Sequence, residues 1–376
     1  MSHALELATA HASSAEKAAG CVLDCHVVGE RGLNDGGFLD VAQALAFRVP
    51  PALSYSALPH ALQRLGGVRC TSCHGPGAIS APEGRARILR ADVCATCHDA
   101  PPRYTHVTDW ARSSMAHADA TPRAREKPCA RCHTTGGFLD AIGARVRSDL
   151  SRDDADVDVG IACAACHAAH GPNEGHGLIR TLPTAVAAPA DSAAENPASA
   201  LCASCHAPAQ DEPLPAASSA ALWLGRVRLP TSLGGDELRG AAPHASIVGG
   251  CVGCHGHATS STRRGTDHSF AVEPQTCDAC HAGDSAQRRA ADGHKVVVEA
   301  RSLLRVLARR CGSELPESLD APVHAHPSEL TCAGEPALAR ALYLALLVAE
   351  DGAAGVHNGP FARALLSEAT RLSLVH

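Results

Sequence analysis

The pentapeptide Cys-x-x-Cys-His recurs seven times in this chain of 376 residues and constrains its fold more than any other feature. Every Cys-x-x-Cys pair is followed directly by a histidine, although only 23 residues of the chain are histidines. The regular copies are Cys70 and Cys73 with His74, Cys94 and Cys97 with His98, Cys129 and Cys132 with His133, Cys163 and Cys166 with His167, Cys202 and Cys205 with His206, Cys251 and Cys254 with His255, and Cys277 and Cys280 with His281. A wider copy, Cys21 and Cys25 with His26, has one extra residue between its thiols.

This pattern is typical of covalent haem attachment, in which two thiols form thioethers with the porphyrin and the following histidine binds the iron. The alternative is zinc, because Cys-x-x-Cys pairs also build tetrahedral zinc sites. A zinc ribbon does not require a histidine after its second cysteine, whereas every pair here has one. Thioredoxin-like chemistry uses a single pair in a βαβ setting. We therefore predict eight haem c groups, seven at the regular copies and one at Cys21–His26.

Composition indicates how such a chain would fold. Aromatic residues make up only 3% of it, so the polypeptide alone buries little large apolar surface. We predict a mainly α protein with long loops, wrapped around a chain of haems. Residues 1–69 would form an N-terminal segment with the wide copy, and residues 70–300 a core with the seven regular copies. Apolar residues at helical spacing in 301–376 predict a C-terminal helical cap.

The second axial ligand of each iron is predicted to be histidine. Methionine cannot serve generally, because the chain has only Met1 and Met115. Fifteen histidines remain after eight are assigned to the haem motifs, which is enough for every iron to be bis-histidine. Without methionine ligation the reduction potentials should be low. The pattern thus favours a low-potential electron carrier.

Position suggests which histidines bind from the second side. Seven candidates lie near a motif or between two motifs, namely His11, His60, His106, His117, His170, His244 and His268. The eighth, His357, could reach back to an iron from the C-terminal cap. His170 follows His167 too closely to bind the same iron and would bind a neighbouring one. His60 is equally well explained as a surface histidine, His106 competes with His117, and His257 could replace His244 or His268.

The remaining cysteines and the ends of the chain bear on location. Cys311 and Cys332 lie outside the motifs and would form either a disulfide or two buried thiols. Haem attachment of this kind takes place outside the cytoplasm, where disulfides persist, so we expect a periplasmic or extracellular protein. The N-terminal sequence lacks a signal peptide, and we expect a mature form, a mis-called start or a missing leader. The chain contains no run of 18 apolar residues, so we predict no transmembrane segment.

Four stretches resemble the multihaem c-type cytochromes. They are CARCHTTGGF with Trp110 and His117 upstream, CAACHAAHG, PHASIVGGCVGCH…GTDHSF…CDACH, and AEDGAAGVHNGPFARALLSEA. This superfamily includes pentahaem nitrite reductases, octahaem hydroxylamine oxidoreductases and tetrathionate reductases, and related tetrahaem cytochromes. The resemblance implies a mostly helical fold with stacked and perpendicular haem pairs. It also implies distal ligation by His117, His170, His244, His268 and His357.

The chain departs from the catalytic members of that superfamily. It has no Cys-x-x-Cys-Lys motif, and none of Tyr55, Tyr104 or Tyr343 is placed as a diagnostic catalytic tyrosine. We therefore expect an electron carrier between a quinol-side donor and a terminal reductase or surface acceptor. The alternative is an oxidoreductase of hydroxylamine, nitrite or tetrathionate at one open haem. A formal net charge of −6 without a basic block argues against nucleic-acid binding.

Overall fold

The structure is a computed structural model that describes most of the chain in separate stretches. The described residues are 37–48, 57–74, 87–99, 105–120, 124–126, 129–144, 159–170, 179–180, 182, 197–207, 218–257, 266–281, 285–312, 332 and 334–375. They fall into two compact units. The first unit comprises Met1–Thr181 and Ala258–Ala271, and the second comprises Leu182–His257 and Val272–His376. The predicted sites Cys21, Cys25, His26 and His11 lie outside the described residues.

The first unit consists of short helices joined by loops. Its described helices are α1 (Phe38–Ala44), α2 (His60–Gln63), α3 (Cys70–His74), α4 (Asp92–His98), α5 (His106–Trp110), a 3₁₀ helix (Ser114–Ala120), α6 (Ala130–His133), α7 (Thr135–Ala141) and α8 (Cys163–Cys166). Phe38 and Leu62 are fully buried where α1 packs against α2. Phe138 and Leu139 of α7 are also buried. These apolar contacts are small, as expected for helices of one or two turns.

The second unit combines short helices, one hairpin and three long helices. Its described elements are α9 (Pro197–His206), α10 (Ser219–Trp223), β1 (Arg226–Arg228), a 3₁₀ helix (Thr231–Leu233), β2 (Glu237–Arg239), α11 (Gly250–His255), a 3₁₀ helix (Pro274–Ala279), α12 (Ser285–Arg310), α13 (Pro336–Glu350) and α14 (Ala354–Ser373). Strands β1 and β2 pair antiparallel, with Val227 opposite Leu238. The connection passes through Gly234 and Gly235, which both adopt the positive φ that glycine tolerates best.

The long helices α12, α13 and α14 form an apolar core of aliphatic side chains. Ten of the fifteen residues of α13, from Leu338 to Ala349, are buried. A helix that is apolar on all sides must be enclosed by its neighbours, and α12 and α14 pack against it. These helices confirm the predicted mainly helical fold. The division of the chain at residues 69 and 300 stays a prediction, and α12 already begins before residue 301.

The crossing of α12 and α14 depends on two glycines. A Cβ on Gly355 would collide with the Cα and the carbonyl oxygen of Gly293. The two backbones can therefore touch only without a side chain at this point. This close approach fixes the start of α14, and with it His357 two residues further on.

No described helix is both long and apolar enough to cross a lipid bilayer.

We expect Gly355→Ala to destabilise the protein, because the new methyl group would force two backbones apart. Overpacking of this kind typically costs about 1–3 kcal/mol. Chemical denaturation of the haem-loaded protein, followed by circular dichroism, would measure the change. Gly359→Ala in the same helix is the control, because its Cβ would meet only the flexible end of Arg363, at 3.1 Å. Equal denaturation midpoints for the two variants would contradict the close crossing.

Candidate haem-binding sites

All seven regular Cys-x-x-Cys-His copies lie in or directly beside a helical turn. Residues three and four apart on a helix share one face, so a single turn directs both thiols and the histidine of a copy towards the same side. This is the arrangement that covalent attachment of one porphyrin requires. The thiol and imidazole sets of the described copies therefore fit haem c.

The first thiol of each copy lies in or directly beside a short helix. These thiols are all partly buried. A partly buried thiol can be covered by a porphyrin edge on one side while the helix holds it on the other. The first thiols are those of Cys70, Cys94, Cys129, Cys163, Cys202, Cys251 and Cys277.

The second thiol of each copy directly precedes the motif histidine. Six of these seven thiols are partly buried, whereas that of Cys280 is exposed. The six are those of Cys73, Cys97, Cys132, Cys166, Cys205 and Cys254. Burial raises the pKa of Cys166 to about 11, so its thiol stays protonated in the polypeptide at neutral pH. Thioether formation at these fourteen cysteines, and at Cys21 and Cys25, stays a prediction.

The imidazoles supply a second test of fit. Among the described residues, five pairs of histidine rings have centroids 6.0–6.2 Å apart, and each joins a motif histidine to a histidine outside the motifs. A metal–imidazole bond is about 2.0 Å long. Adding about 1.1 Å from nitrogen to ring centre on each side gives about 6 Å across one iron. The pairs are His74–His170, His98–His106, His167–His268, His281–His244 and His255–His357.

Hydrogen bonds set the ring nitrogens of several histidines for this role. His244 and His268 donate from Nδ1 to the carbonyls of Val356 and Thr266, both at 2.8 Å. His133 donates in the same way to a backbone carbonyl, that of Ala118, at 2.9 Å. A proton held on Nδ1 leaves the lone pair of Nε2 available for a metal. These contacts orient the rings and select the tautomer that a haem ligand needs.

Side-chain contacts in the first unit bring α5 and α8 into position. The carboxylate of Asp99 accepts from the backbone N–H of Thr108 at 3.0 Å and from its hydroxyl at 2.7 Å. This contact ties α5, which carries His106, to the end of α4. The indole of Trp110 donates to the carbonyl of Ile161 at 2.8 Å, just before α8. This hydrogen bond ties α5 to the segment that leads into α8.

In the second unit, Trp223 and Asn358 fix the backbone at or beside His244 and His357, two of the predicted distal ligands. Trp223 donates from its indole to the carbonyl of His244 at 2.9 Å. The buried amide of Asn358 donates to the carbonyls of Leu222 and Ala241 at 3.0 and 2.6 Å. Asn358 has non-helical backbone angles and interrupts α14 directly after His357. The interruption is therefore anchored by specific hydrogen bonds, and the position of His357 is fixed.

Neighbouring motifs also touch through their thiols. Cys94 and Cys163 hydrogen-bond each other, which raises the pKa of Cys94 and lowers that of Cys163. In the second unit, a hydrogen bond with Cys202 lowers the pKa of Cys251 to about 6. The attachment points of different copies thus adjoin in each unit.

The outer imidazoles of two pairs are also in contact. The ring centroids of His106 and His268 lie 4.7 Å apart. Burial lowers the pKa of His106, and the neighbouring His268 lowers it further. A lowered pKa keeps the imidazole neutral, which is the form that binds a metal.

Other predicted ligands are placed differently. His117 points its Nε2 at the carbonyl of Ala111, 3.0 Å away, so it would have to give up this bond to bind iron through that nitrogen. His60 is exposed at the start of α2, and His257 is exposed after α11. These three histidines have no described imidazole partner in the five pairs, and their ligand roles stay predictions.

The motif histidine His206 lies near another pair. It keeps an exposed face, but its surroundings desolvate it and lower its pKa, with further lowering by His255. His206 is therefore close to the His255–His357 pair.

The remaining cysteines form a disulfide. Cys311 and Cys332 are bonded, with their Cα atoms 4.6 Å apart, which decides between the two alternatives left open by the sequence. Over the described ranges, no three His, Cys, Asp or Glu side chains gather as a zinc site would need. Ten of the described histidines form the five pairs given above.

The sequence did not predict two residues that contact the candidate sites. Arg180 donates to the carbonyls of Ala164 and His167 at 2.9 and 3.1 Å and so caps the end of α8. Asp351 accepts a hydrogen bond from Nδ1 of His357 at 2.8 Å. Neither residue belongs to a motif, and only the folded chain brings them to the site.

Comparisons with known proteins find similarity to multihaem cytochromes. The chain is 30% identical over 154 residues to the C-type polyheme cytochrome OmcB of Geobacter sulfurreducens, in two strains. The alignment covers 38% of this chain but only 19% of OmcB, so the chain matches about a fifth of that relative's length. No protein-family model matches the chain.

Two solved structures share the fold. One is the undecaheme cytochrome from the S-layer of Carboxydothermus ferrireducens, with a TM-score of 0.53 and 18% identity over 94% of this chain and 55% of the other. The second is the outer cell wall cytochrome OcwA, with a TM-score of 0.56 and 19% identity over 96% of this chain and 76% of the other. The chain has a multihaem cytochrome fold. The likeness to multihaem cytochromes drawn from the sequence is thus supported, while the octahaem subgroup stays a prediction.

We expect His268→Ala to convert one low-spin haem to a high-spin one, because the iron opposite His167 would lose its second imidazole. Electron paramagnetic resonance of the oxidised, haem-loaded protein would measure the change. His294→Ala, at an exposed position on α12, is the control and should leave the spectrum unchanged. A His268→Ala spectrum identical to that of the unmodified protein would refute this ligand assignment.

Proposed function

We propose that this protein is a c-type cytochrome with eight haems that carries electrons through low-potential, bis-histidine irons. The observation that carries the proposal is the set of five imidazole pairs with centroids 6.0–6.2 Å apart. When bound, haem supplies an iron that changes oxidation state by one electron. The residues of the chain supply attachment, two axial ligands and the surroundings that set the potential.

Two strong axial ligands suit an electron carrier because they keep the iron low-spin in both oxidation states. The coordination then changes little when an electron arrives or leaves. Histidines are held for this task by backbone carbonyls, as His244 and His268 illustrate. We therefore assign the motif histidine of each of the five pairs as the proximal ligand and its partner as the distal ligand.

The thiol contacts support transfer between neighbouring groups. Cys94 hydrogen-bonds Cys163 in the first unit, and Cys202 hydrogen-bonds Cys251 in the second. With haem attached, these sulfurs would be thioethers at porphyrin edges, and adjoining sulfurs would bring adjoining edges together. Electron tunnelling falls steeply with distance, and such contacts favour a continuous path within each unit.

We place the protein outside the cytoplasm, in the periplasm or at the cell surface. The covalent haem motifs and the Cys311–Cys332 disulfide both suit an oxidising compartment. The two structural neighbours come from an S-layer and an outer cell wall by name. The partners would be redox proteins, with a quinol-side donor on one side and a terminal reductase or surface acceptor on the other.

The decisive experiment is quantitative electron paramagnetic resonance of the oxidised protein, combined with mass spectrometry of the attached haems. We expect eight covalent haems and only low-spin ferric signals, because every iron would have two imidazole ligands. Reductive titration should then take up one electron per haem. Magnetic coupling between neighbours can broaden signals, so the spectrum is best recorded at several stages of reduction.

A different outcome would change the function assigned. A high-spin signal equal to one haem would reveal an open iron, and the oxidoreductase alternative would replace the electron-carrier proposal. Nitrite, hydroxylamine and tetrathionate would then be tested as substrates. Seven attached haems instead of eight would mean that the wide copy, Cys21 and Cys25 with His26, does not carry one.

A further inference from the structure

A buried carboxylate stands directly behind one of the assigned ligands. Asp351 follows α13, and its side chain is completely shielded from solvent. Both of its oxygens lie 2.8 Å from Nδ1 of His357. His357 in turn faces His255, with their ring centroids 6.1 Å apart. The carboxylate, the distal imidazole and the motif imidazole thus form one connected series.

The nature of the acceptor distinguishes His357 from other assigned distal ligands. An ionised carboxylate can only accept, so the Nδ1–H of His357 must be the donor. His244 and His268 donate instead to neutral backbone carbonyls. His357 therefore has a full negative charge behind it, where those two histidines have only a carbonyl dipole.

The charge of Asp351 acts directly on the imidazole, because both carboxylate oxygens lie within hydrogen-bond distance of Nδ1 of His357. A carboxylate behind a metal-binding histidine makes the imidazole a stronger donor. Because Asp351 is buried, solvent ions screen its charge only weakly.

We propose that Asp351 is a positioning residue that gives the iron between His255 and His357 a lower reduction potential than the irons bound by His244 and His268. The inference rests on the proposed function, since it requires a haem at Cys251 and Cys254. One electron entering a ferric centre lowers its charge by one unit. A nearby negative charge and a more basic ligand both favour the ferric state and oppose that step.

The structure also keeps this carboxylate in place. Asp351 lies at the end of α13, whose side chains are mostly buried. His357 lies between the Gly293–Gly355 crossing and the anchored Asn358. Both partners are therefore held by rigid helices, and the charge cannot move away when the iron is reduced.

The test is a redox titration of the full, haem-loaded protein, monitored by electron paramagnetic resonance with mediator dyes. Asp351→Asn removes the charge with little change in size, and we expect the midpoint potential of one low-spin signal to shift upwards. His357→Ala identifies that signal, because it should turn the same haem high-spin. Asp351→Glu retains the charge and should shift the potential less. Asp351→Ser is a second neutral variant that should shift it upwards if Asp351→Asn does not fold.

Asp236→Asn provides a matched control in the same unit. Asp236 pairs with Arg340 at 2.7 Å rather than with a histidine, so its loss removes an equal charge and should leave the haem potentials unchanged. An unshifted potential in the neutral Asp351 variants, with the low-spin signal retained, would overturn the inference alone. If the His357→Ala protein keeps every low-spin signal of the unmodified protein, the proposed bis-histidine function at this site is overturned.

Discussion

In the proposed bis-histidine arrangement, the pairing of two imidazoles across one iron is the constraint on which the rest of this structure depends. The two rings of a pair come from separate parts of the chain, and their centroids must be held about 6 Å apart. The proximal ring follows from local sequence, since one helical turn places it beside two thiols. The distal ring has to be positioned by tertiary contacts. Most of the specific polar contacts near the sites position it.

The predicted distal histidines of the two units lie in different local structures. In the first unit, His106 lies on a helix of five residues that is tied down by a contact between Asp99 and Thr108. His268 donates to the carbonyl of a neighbouring residue within its own loop. In the second unit, His357 sits on a long helix that packs into an aliphatic core. His244 of the second unit lies in a turn and is also held by a hydrogen bond, from the indole of Trp223 to its carbonyl. His357 is held both by the apolar packing of its helix and by the hydrogen bonds of the neighbouring Asn358.

The motifs and the fold class could be predicted from the sequence, because they depend on neighbouring residues and on helical periodicity. The sequence could not predict which histidine pairs with which motif histidine. His170 pairs with His74, far away along the chain, and no spacing rule predicts that contact. The ligand role of His117 stays a prediction, and its Nε2 lies 3.0 Å from a backbone carbonyl. The contact of Asp351 with His357 could not be predicted, because an acidic residue beside a glycine is typical of an ordinary surface turn.

The scarcity of aromatic residues suggested that haems would provide most of the core. The second unit nevertheless packs many alanine, leucine and valine side chains against one another. Small residues let helices approach closely, as Gly293 and Gly355 do. Burial of each larger aliphatic side chain contributes about 1.5–3 kcal/mol. A core of this kind stabilises the platform for His357 and Asp351 through contacts within the polypeptide, so that a buried charge can be kept beside a ligand despite its desolvation cost.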